Sequence, residues 1–430
     1  MDARKDEYKA SRIFSIIVAA MEYFISILVG TTYLAKLAGE MGLDDGTIGV
    51  VTSFLALGCG FQIVAIFLPA GMRAKRLVIA TSLLNQLCFT ALYALPGINL
   101  PTGVRKGVFV ALLLLGQILI NVAFSPRVVW IRNLVDEDKR GRYSAVCEII
   151  SLISGMVFTM SMGVLIDTLE ASGRLNLAFV ICGVIIALLT VIDTVLLCLM
   201  KEKPTEIKTP AESGIKRITG AICDKTTLTM LPLFILWYVT LYATTPFFGT
   251  YQLEELGFSM TFVSVLSVAY AIVRAVVSRP IGAYGDRRSF SRSISIGFVA
   301  IAVGFLALVF FGRVGYIIYH MLYAVTLAAT NSGQVNLIYD YVAPEKRSGA
   351  VAILYTVGGF SGFFATLAVR PLVNFIQESG NTFLGIEGVY AQQVLAVIGT
   401  ACALLCLLYV NLVIRRMPLS RHLEPEKTAG

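Results

Sequence analysis

Apolar stretches follow one another along the chain from Ile13 to Ile414, each separated from the next by a short polar or charged interruption. An α-helix needs roughly 20 largely apolar residues to cross a hydrocarbon core of ~30 Å, and most of these stretches have that length. The pattern predicts twelve helices, at 13–36, 47–71, 76–96, 104–134, 143–169, 175–200, 228–253, 258–284, 290–312, 314–342, 348–376 and 390–414. The first run is long and leads to Lys36 and Glu40, without the small-residue site of a cleaved signal peptide, so it reads as a permanent span.

Composition agrees with the pattern. Of 430 residues, 57% are hydrophobic and only 14% charged, too few polar groups to cover such a chain in water. Seven of the eight cysteines lie inside apolar runs, Cys223 alone sits in a polar segment, and no spacing suggests a disulfide or metal site. The two histidines, His320 and His422, are far apart, and no glycosylation sequon is present, which fits a bacterial origin.

The net charge of +8 would suggest nucleic acid on a soluble protein, but the positions of the charges say otherwise. Sorted by loop, 27 of the 35 Lys and Arg residues fall on one side of the twelve helices. The positive-inside rule makes that side cytoplasmic and puts both termini there. The expectation is a multi-pass protein of the cytoplasmic (inner) membrane, with lipid around it and no nucleic-acid partner.

The longest polar stretch, from Lys201 to Lys225, divides six helices from six, giving domains at 1–200 and 228–430 joined by a cytoplasmic linker at 201–227. Sliding the chain by 207 residues places Val135–Gly173 on Val342–Gly380 without a gap. Ten identities result, among them Lys139/Lys346, Arg140/Arg347, Ser154-Gly155/Ser361-Gly362, Thr159/Thr366 and Ser172-Gly173/Ser379-Gly380. Helix 5 therefore repeats as helix 11, and a six-helix repeat in one orientation predicts two bundles able to rock about a central site.

At the helix 8/9 turn, Gly282-Ala-Tyr-Gly-Asp286-Arg287 resembles the Gly-x-x-x-Asp-Arg signature of the major facilitator superfamily. The resemblance, with twelve spans, the 6+6 division and the central linker, covers nearly the whole chain. It implies an all-α membrane protein of two six-helix bundles, in which Asp286 faces the start of helix 5 near Gly141 to Tyr143, since a helix amino terminus stabilises an anion. The matching turn of the first half departs from the signature, because Lys75 stands where the acid would be. Neither drug-antiporter nor sugar-porter motifs appear, so the subfamily stays open.

Ionisable groups deep in a bilayer cost ~2.5–3.5 kcal/mol each on insertion scales and so mark function first. Glu22 lies ten residues past Arg12, about 15 Å along a helix and near the midplane. Ser15, Ser26 and Tyr33 are its neighbours at helical spacing. The resemblance puts helices 1, 4, 7 and 10 around the cavity, which makes Glu22 the candidate proton site or the partner of a cationic substrate, against a buried structural ion pair. Arg274 reaches a similar depth on helix 8 and could hold an anionic group or pair with Glu22. Arg127 and Glu148, on adjacent helices, read as a structural pair or inner gate, alongside Gly282, Asp286 and Arg287 as conformational residues. Asp193 and Asp167 are weaker candidates, and His320 reads as an interface anchor.

Polar stripes complete the expected cavity. Helix 7 offers Tyr238, Tyr242, Thr245, Gly249 and Gln252, helix 10 offers Tyr319, Tyr323, Thr326, Thr330 and Gln334 with Asn331 beside them, and helix 4 adds Gln117 and Asn121. Helix packing by polar and small residues would use some of the same positions. The mixture, with one acid and one base, suits a small polar organic molecule, zwitterionic or anionic.

The sequence thus reads as a secondary active transporter working by alternating access, with protons as the candidate coupling ion and no cofactor. No Gly-x-x-x-x-Gly-Lys-Ser/Thr loop is present to bind ATP, and no His/Ser/Cys cluster points to an enzyme. An exporter of drugs or amphiphiles with the same fold, or a membrane sensor, stands as the alternative. A monomer is expected to suffice.

Overall fold

The computed structural model describes residues 7–67, 74–135, 140–203, 219–220, 222–343 and 346–419. Eleven of its helices are long and apolar enough to span a bilayer. One of these, Phe290–Tyr341, has 52 residues and bends at Gly312, where φ is 52° and ψ −124°. Its two arms are helices 9 and 10, so the described residues provide twelve crossings.

Several helices are less regular than their sequence pattern predicts. Helix 1 runs Lys9–Leu28, breaks at Gly30, and resumes as Thr31–Glu40. Helix 2 is three segments, Asp45–Thr52, Phe54–Gly60 and a 3-10 turn Phe61–Phe67. Helix 7 runs Lys225–Tyr242, then passes through a 3-10 turn at Thr245–Phe247 and a wide turn at Tyr251–Glu255. The others are Ala74–Ala94 (helix 3), Thr102–Asn133 (helix 4), Arg140–Ala171 (helix 5), Leu175–Leu199 (helix 6), Met260–Arg287 (helix 8), Arg347–Glu378 (helix 11) and Ala391–Leu412 (helix 12). A small hairpin, Thr382–Phe383 with Ile386–Glu387, fills the loop before helix 12.

The repeat seen in the sequence reappears as local geometry. Helix 5 ends where the amide of Gly173 donates to Glu170 O and that of Arg174 to Leu169 O; helix 11 ends with Gly380 on Gln377 O and Asn381 on Ile376 O. Both glycines sit at positive φ, 67° and 69°. This closing turn satisfies the last carbonyls and requires a left-handed residue, which glycine adopts without a Cβ penalty.

By contact the chain groups into two compact units that do not coincide with the sequence halves. The first comprises residues 1–44, 64–211 and 252–267, the second 45–63, 212–251 and 268–430. In the first, helices 1, 3, 4 and 6 enclose Val18, Val78, Ala123, Trp130, Leu134, Leu197 and Met200. The start of helix 8 belongs here because Asp167 of helix 5 accepts from the amides of Met260 (2.9 Å) and Thr261 (2.7 Å). A carboxylate at a helix amino terminus satisfies free N–H groups and meets the positive end of the dipole.

In the second unit, helix 2 lies against helix 11 with small residues at the closest approach and the ring pairs Phe54–Phe363 and Phe61–Phe360 on either side. A side chain at Gly359 would meet Ala56 O and Gly60 N at 2.6 and 3.2 Å, so the two backbones are in direct contact. At one end of this seam Gln377 donates to the Asp45 carboxylate (2.5 Å) and Arg370 to the Thr47 hydroxyl (2.8 Å). Such close helix approach gains dispersion contacts that lipid cannot supply.

Candidate functional site

In the first unit the acid at the middle of helix 1 meets the base of helix 4. Both terminal nitrogens of the Arg127 guanidinium engage both carboxylate oxygens of Glu22, and the two side chains are only 16% and 17% exposed. The planar fork of arginine matches a carboxylate in this way, and the pair neutralises two charges that would be costly apart. The sequence expectation that Arg127 pairs with Glu148 is therefore corrected. Glu148 is exposed and makes no hydrogen bond or ion pair with a described residue.

Behind this pair lies a second acid that the sequence reading ranked low. Asp193 of helix 6 is wholly buried, and Gln86 of helix 3 donates from Nε2 to its Oδ2 at 2.8 Å. Glu22 and Arg127 are the charged groups that act on it electrostatically. Asn121 is also buried, donating to Gln117 O at 2.8 Å, while Gln117 is half-buried.

The polar stripe expected on helix 1 does not exist as one face. The break at Gly30 rotates Tyr33 away, and its buried hydroxyl donates to Thr159 O and shares a hydrogen bond with Ser264, both at 3.0 Å. Ser15 is buried against the Tyr143 hydroxyl, and Ser26 is exposed with its hydroxyl on Tyr23 O. Of the four, Glu22 alone reaches a charged partner among the described residues.

In the second unit, Tyr238 and Tyr242 stack with ring centroids 5.9 Å apart, and Tyr355 meets Tyr238 edge-on. The regular spacing of the helix 7 stripe ends at Tyr242; Thr245 lies in the 3-10 turn, its hydroxyl on Leu241 O, and Gln252 reaches Thr32 within the first unit. The helix 10 stripe divides as well. Thr326 and Thr330 are buried, Thr326 donating to Gly297 O of helix 9, so these two serve packing. Gln334 is buried and Asn331 exposed.

What remains on that face is aromatic. Tyr323 lies 6.0 Å from Tyr270 and 5.7 Å from Tyr319, centroid to centroid, and His320 is enclosed by Tyr270 at 5.2 Å and Tyr316 at 6.0 Å. The structure thus makes His320 part of a tyrosine cage. Arg274, half-buried on helix 8, acts electrostatically on Tyr323 and makes no side-chain hydrogen bond or ion pair with a described residue.

The signature turn is exposed at Asp286 and Arg287, with Gly282 half-buried. Its expected partner, the opening of helix 5, has side chains at 140–142 that lie outside those described. The equivalent turn of the first half falls largely on residues 68–73, also outside. Lys75 is described, and it explains the departure from the signature: its Nζ donates to Cys198 O and Met200 O, both at 2.7 Å. A cation there closes the carboxyl end of helix 6, where the dipole is negative and an acid would be repelled.

Twelve apolar crossings among the described residues, with a buried ion pair and a tyrosine cluster among them, define a multi-pass membrane protein. The chain matches the sequence profile of the Major Facilitator Superfamily over residues 13–366 and again over 230–428, and it belongs to that family. Two crystal structures of the nucleoside transporter NupG resemble it with TM-scores of 0.72 and 0.70 at 14% and 13% identity, covering 93% and 95% of this chain and 99% and 100% of theirs. A D-xylose-proton symporter resembles it with a TM-score of 0.67 at 14% identity, over 93% of this chain and 97% of that one. A POT family peptide transporter does so with 0.66 at 13%, over 95% and 97%. At such identities the likeness is one of fold. No curated protein matches the sequence significantly.

Proposed function

We propose that the chain is a secondary active transporter of the cytoplasmic membrane that moves a small polar organic solute bearing an anionic group, by alternating access of two six-helix bundles, with protons as the coupling ion and both termini cytoplasmic. The observation that carries this reading is Arg274. Its guanidinium cannot shed its charge, stands half-buried at membrane depth beside Tyr323, and has no acid among the described residues, while the acid it might have used is taken by Arg127. A substrate carboxylate or phosphate would supply the missing partner, with the tyrosine row offering ring faces and hydroxyls around it. The buried acids of the first unit supply groups on which a coupling proton could travel.

The test is a thermal-shift screen of purified protein against organic anions, amino acids, sugars, nucleosides and amphipathic drugs, because a ligand of the folded state raises its apparent stability. Hits are expected among anionic or zwitterionic solutes, with Arg274→Ala weakening them at least tenfold and vesicles accumulating the same compounds under an imposed proton gradient. Hits confined to amphipathic drugs and indifferent to Arg274→Ala would instead favour an exporter. Ligands that bind but never cross the vesicle membrane would favour a sensor.

A further inference from the structure

The acid–amide contact between helices 3 and 6 leaves two buried atoms unanswered. Gln86 Nε2 donates to Asp193 Oδ2, yet Gln86 Oε1 and Asp193 Oδ1, the second atoms of the same two groups, have no hydrogen-bond partner among the described residues. Both residues are buried, Asp193 completely. Two acceptors cannot satisfy each other. One proton on Oδ1 would change that at once, since a neutral carboxylic acid both accepts from an amide N–H and donates to the amide oxygen, closing a two-bond ring between the groups.

Charge leads to the same place. The charged groups acting on Asp193 are Glu22 from helix 1 and Arg127 from helix 4; helix 3 contributes the neutral Gln86, and helix 5 contributes no charged group that acts on it. Arg127 is already spent on Glu22 in a two-point pair. An ionised Asp193 would leave this buried cluster with one uncompensated negative charge, whereas a protonated one leaves it neutral. Buried ionised carboxylates without a dedicated partner are costly enough that the group takes a proton instead.

We propose that Asp193, paired with Gln86, is a proton-binding site of the first unit, holding one proton on Oδ1 in this conformation while Glu22 remains ionised on Arg127. Uptake adds a single proton to a carboxylate, and release returns it to water. The site also deepens the proton-coupled reading above, by moving the proton from the conspicuous acid of helix 1 to the hidden one of helix 6. Whatever neutralises Glu22, a substrate cation included, removes its repulsion and turns Arg127 toward serving Asp193, which favours release.

The experiment is infrared spectroscopy of the purified full-length chain in lipid, reading the carbonyl stretch of neutral carboxylic acids at neutral pH. A band is expected in the wild type, lost in Asp193→Asn, retained in the double variant Glu22→Gln with Arg127→Gln, which removes both charges together, and shifted to higher frequency in Gln86→Leu, which removes the ring. Asp193→Asn keeps a two-bond amide–amide ring with Gln86, so it is expected to fold. Should it not, heavy-carbon labelling of the aspartate carboxyls in the wild type must shift the band. Absence of the band, its loss in the double variant Glu22→Gln with Arg127→Gln, or its indifference to aspartate labelling would each overturn the assignment. None of these readings involves transport, so a chain that moved no solute could still hold this proton, and an active carrier could still lack it.

Discussion

Glu22 and Arg127 define what a buried pair can and cannot contribute. Removing one partner leaves an uncompensated charge inside the helices, whereas removing both leaves two amides that can hydrogen-bond. Arg127→Gln alone is therefore expected to lower stability by about 3–5 kcal/mol, and addition of Glu22→Gln to recover most of it. Thermal unfolding of the single and double variants in one detergent checks this; equal losses in both would mean the pair is not what holds these helices. Outside the membrane, Asp224 has a simpler task. Burial works against its charge, but Lys346 at 2.8 Å and the amide and hydroxyl of Thr227 outweigh that and hold its carboxyl below the usual range. A lowered folded-state value means the stabilisation is present above the ordinary carboxylate range and lost as pH falls through the lowered one. Because Lys346 is 46% exposed, the contribution should stay under about 1 kcal/mol, and Asp224→Asn should flatten that acid limb in unfolding measured against pH.

Among the elements, helix 6 owes its end to a residue that sequence comparison would score as a defect. Lys75 closes the last carbonyls of that helix, so Lys75→Asp, which restores the family's acid, is expected to destabilise by about 1–2 kcal/mol instead of repairing a latch. An unchanged melting temperature would show that the two contacts contribute nothing. Elements were also where sequence reading succeeded and failed most plainly. Twelve crossings were legible because hydrophobic length is a strong signal in a bilayer, and the Ser-Gly ends of helices 5 and 11 because glycine has a conformational reason to recur there. The helix 1 and helix 7 stripes were not, since a break of two residues at Val29–Gly30 or Ala243–Thr244 shifts every later side chain to another face, and nothing in a periodic pattern announces it. Asp193 was undervalued for a related reason. A lone acid in a long apolar run shows nothing of the face it lies on, and only the fold brings Gln86 to it.

At the scale of the molecule, the proposed sidedness rests on the charge distribution and not on the helices. Cys198 and Cys223 are exposed, flank the polar segment between the sixth and seventh helices, and are free thiols. With both termini cytoplasmic, a membrane-impermeant maleimide should label Cys223 in inverted vesicles and not in right-side-out cells. The opposite pattern would reverse the assignment of sides.

The hold of Asp167 on the first two amides of helix 8 has a consequence in time. Under the alternating access proposed above, helix 5 parts from helix 8 in each cycle, and parting requires the two charge-assisted hydrogen bonds and the Tyr33–Ser264 contact to yield together. Breaking such bonds is mainly a loss of enthalpy, unlike the sliding of apolar surfaces, so the crossing rate should carry a large activation enthalpy and fall steeply on cooling. A cold-adapted relative would be under pressure at the position of Asp167 before any residue that touches the solute.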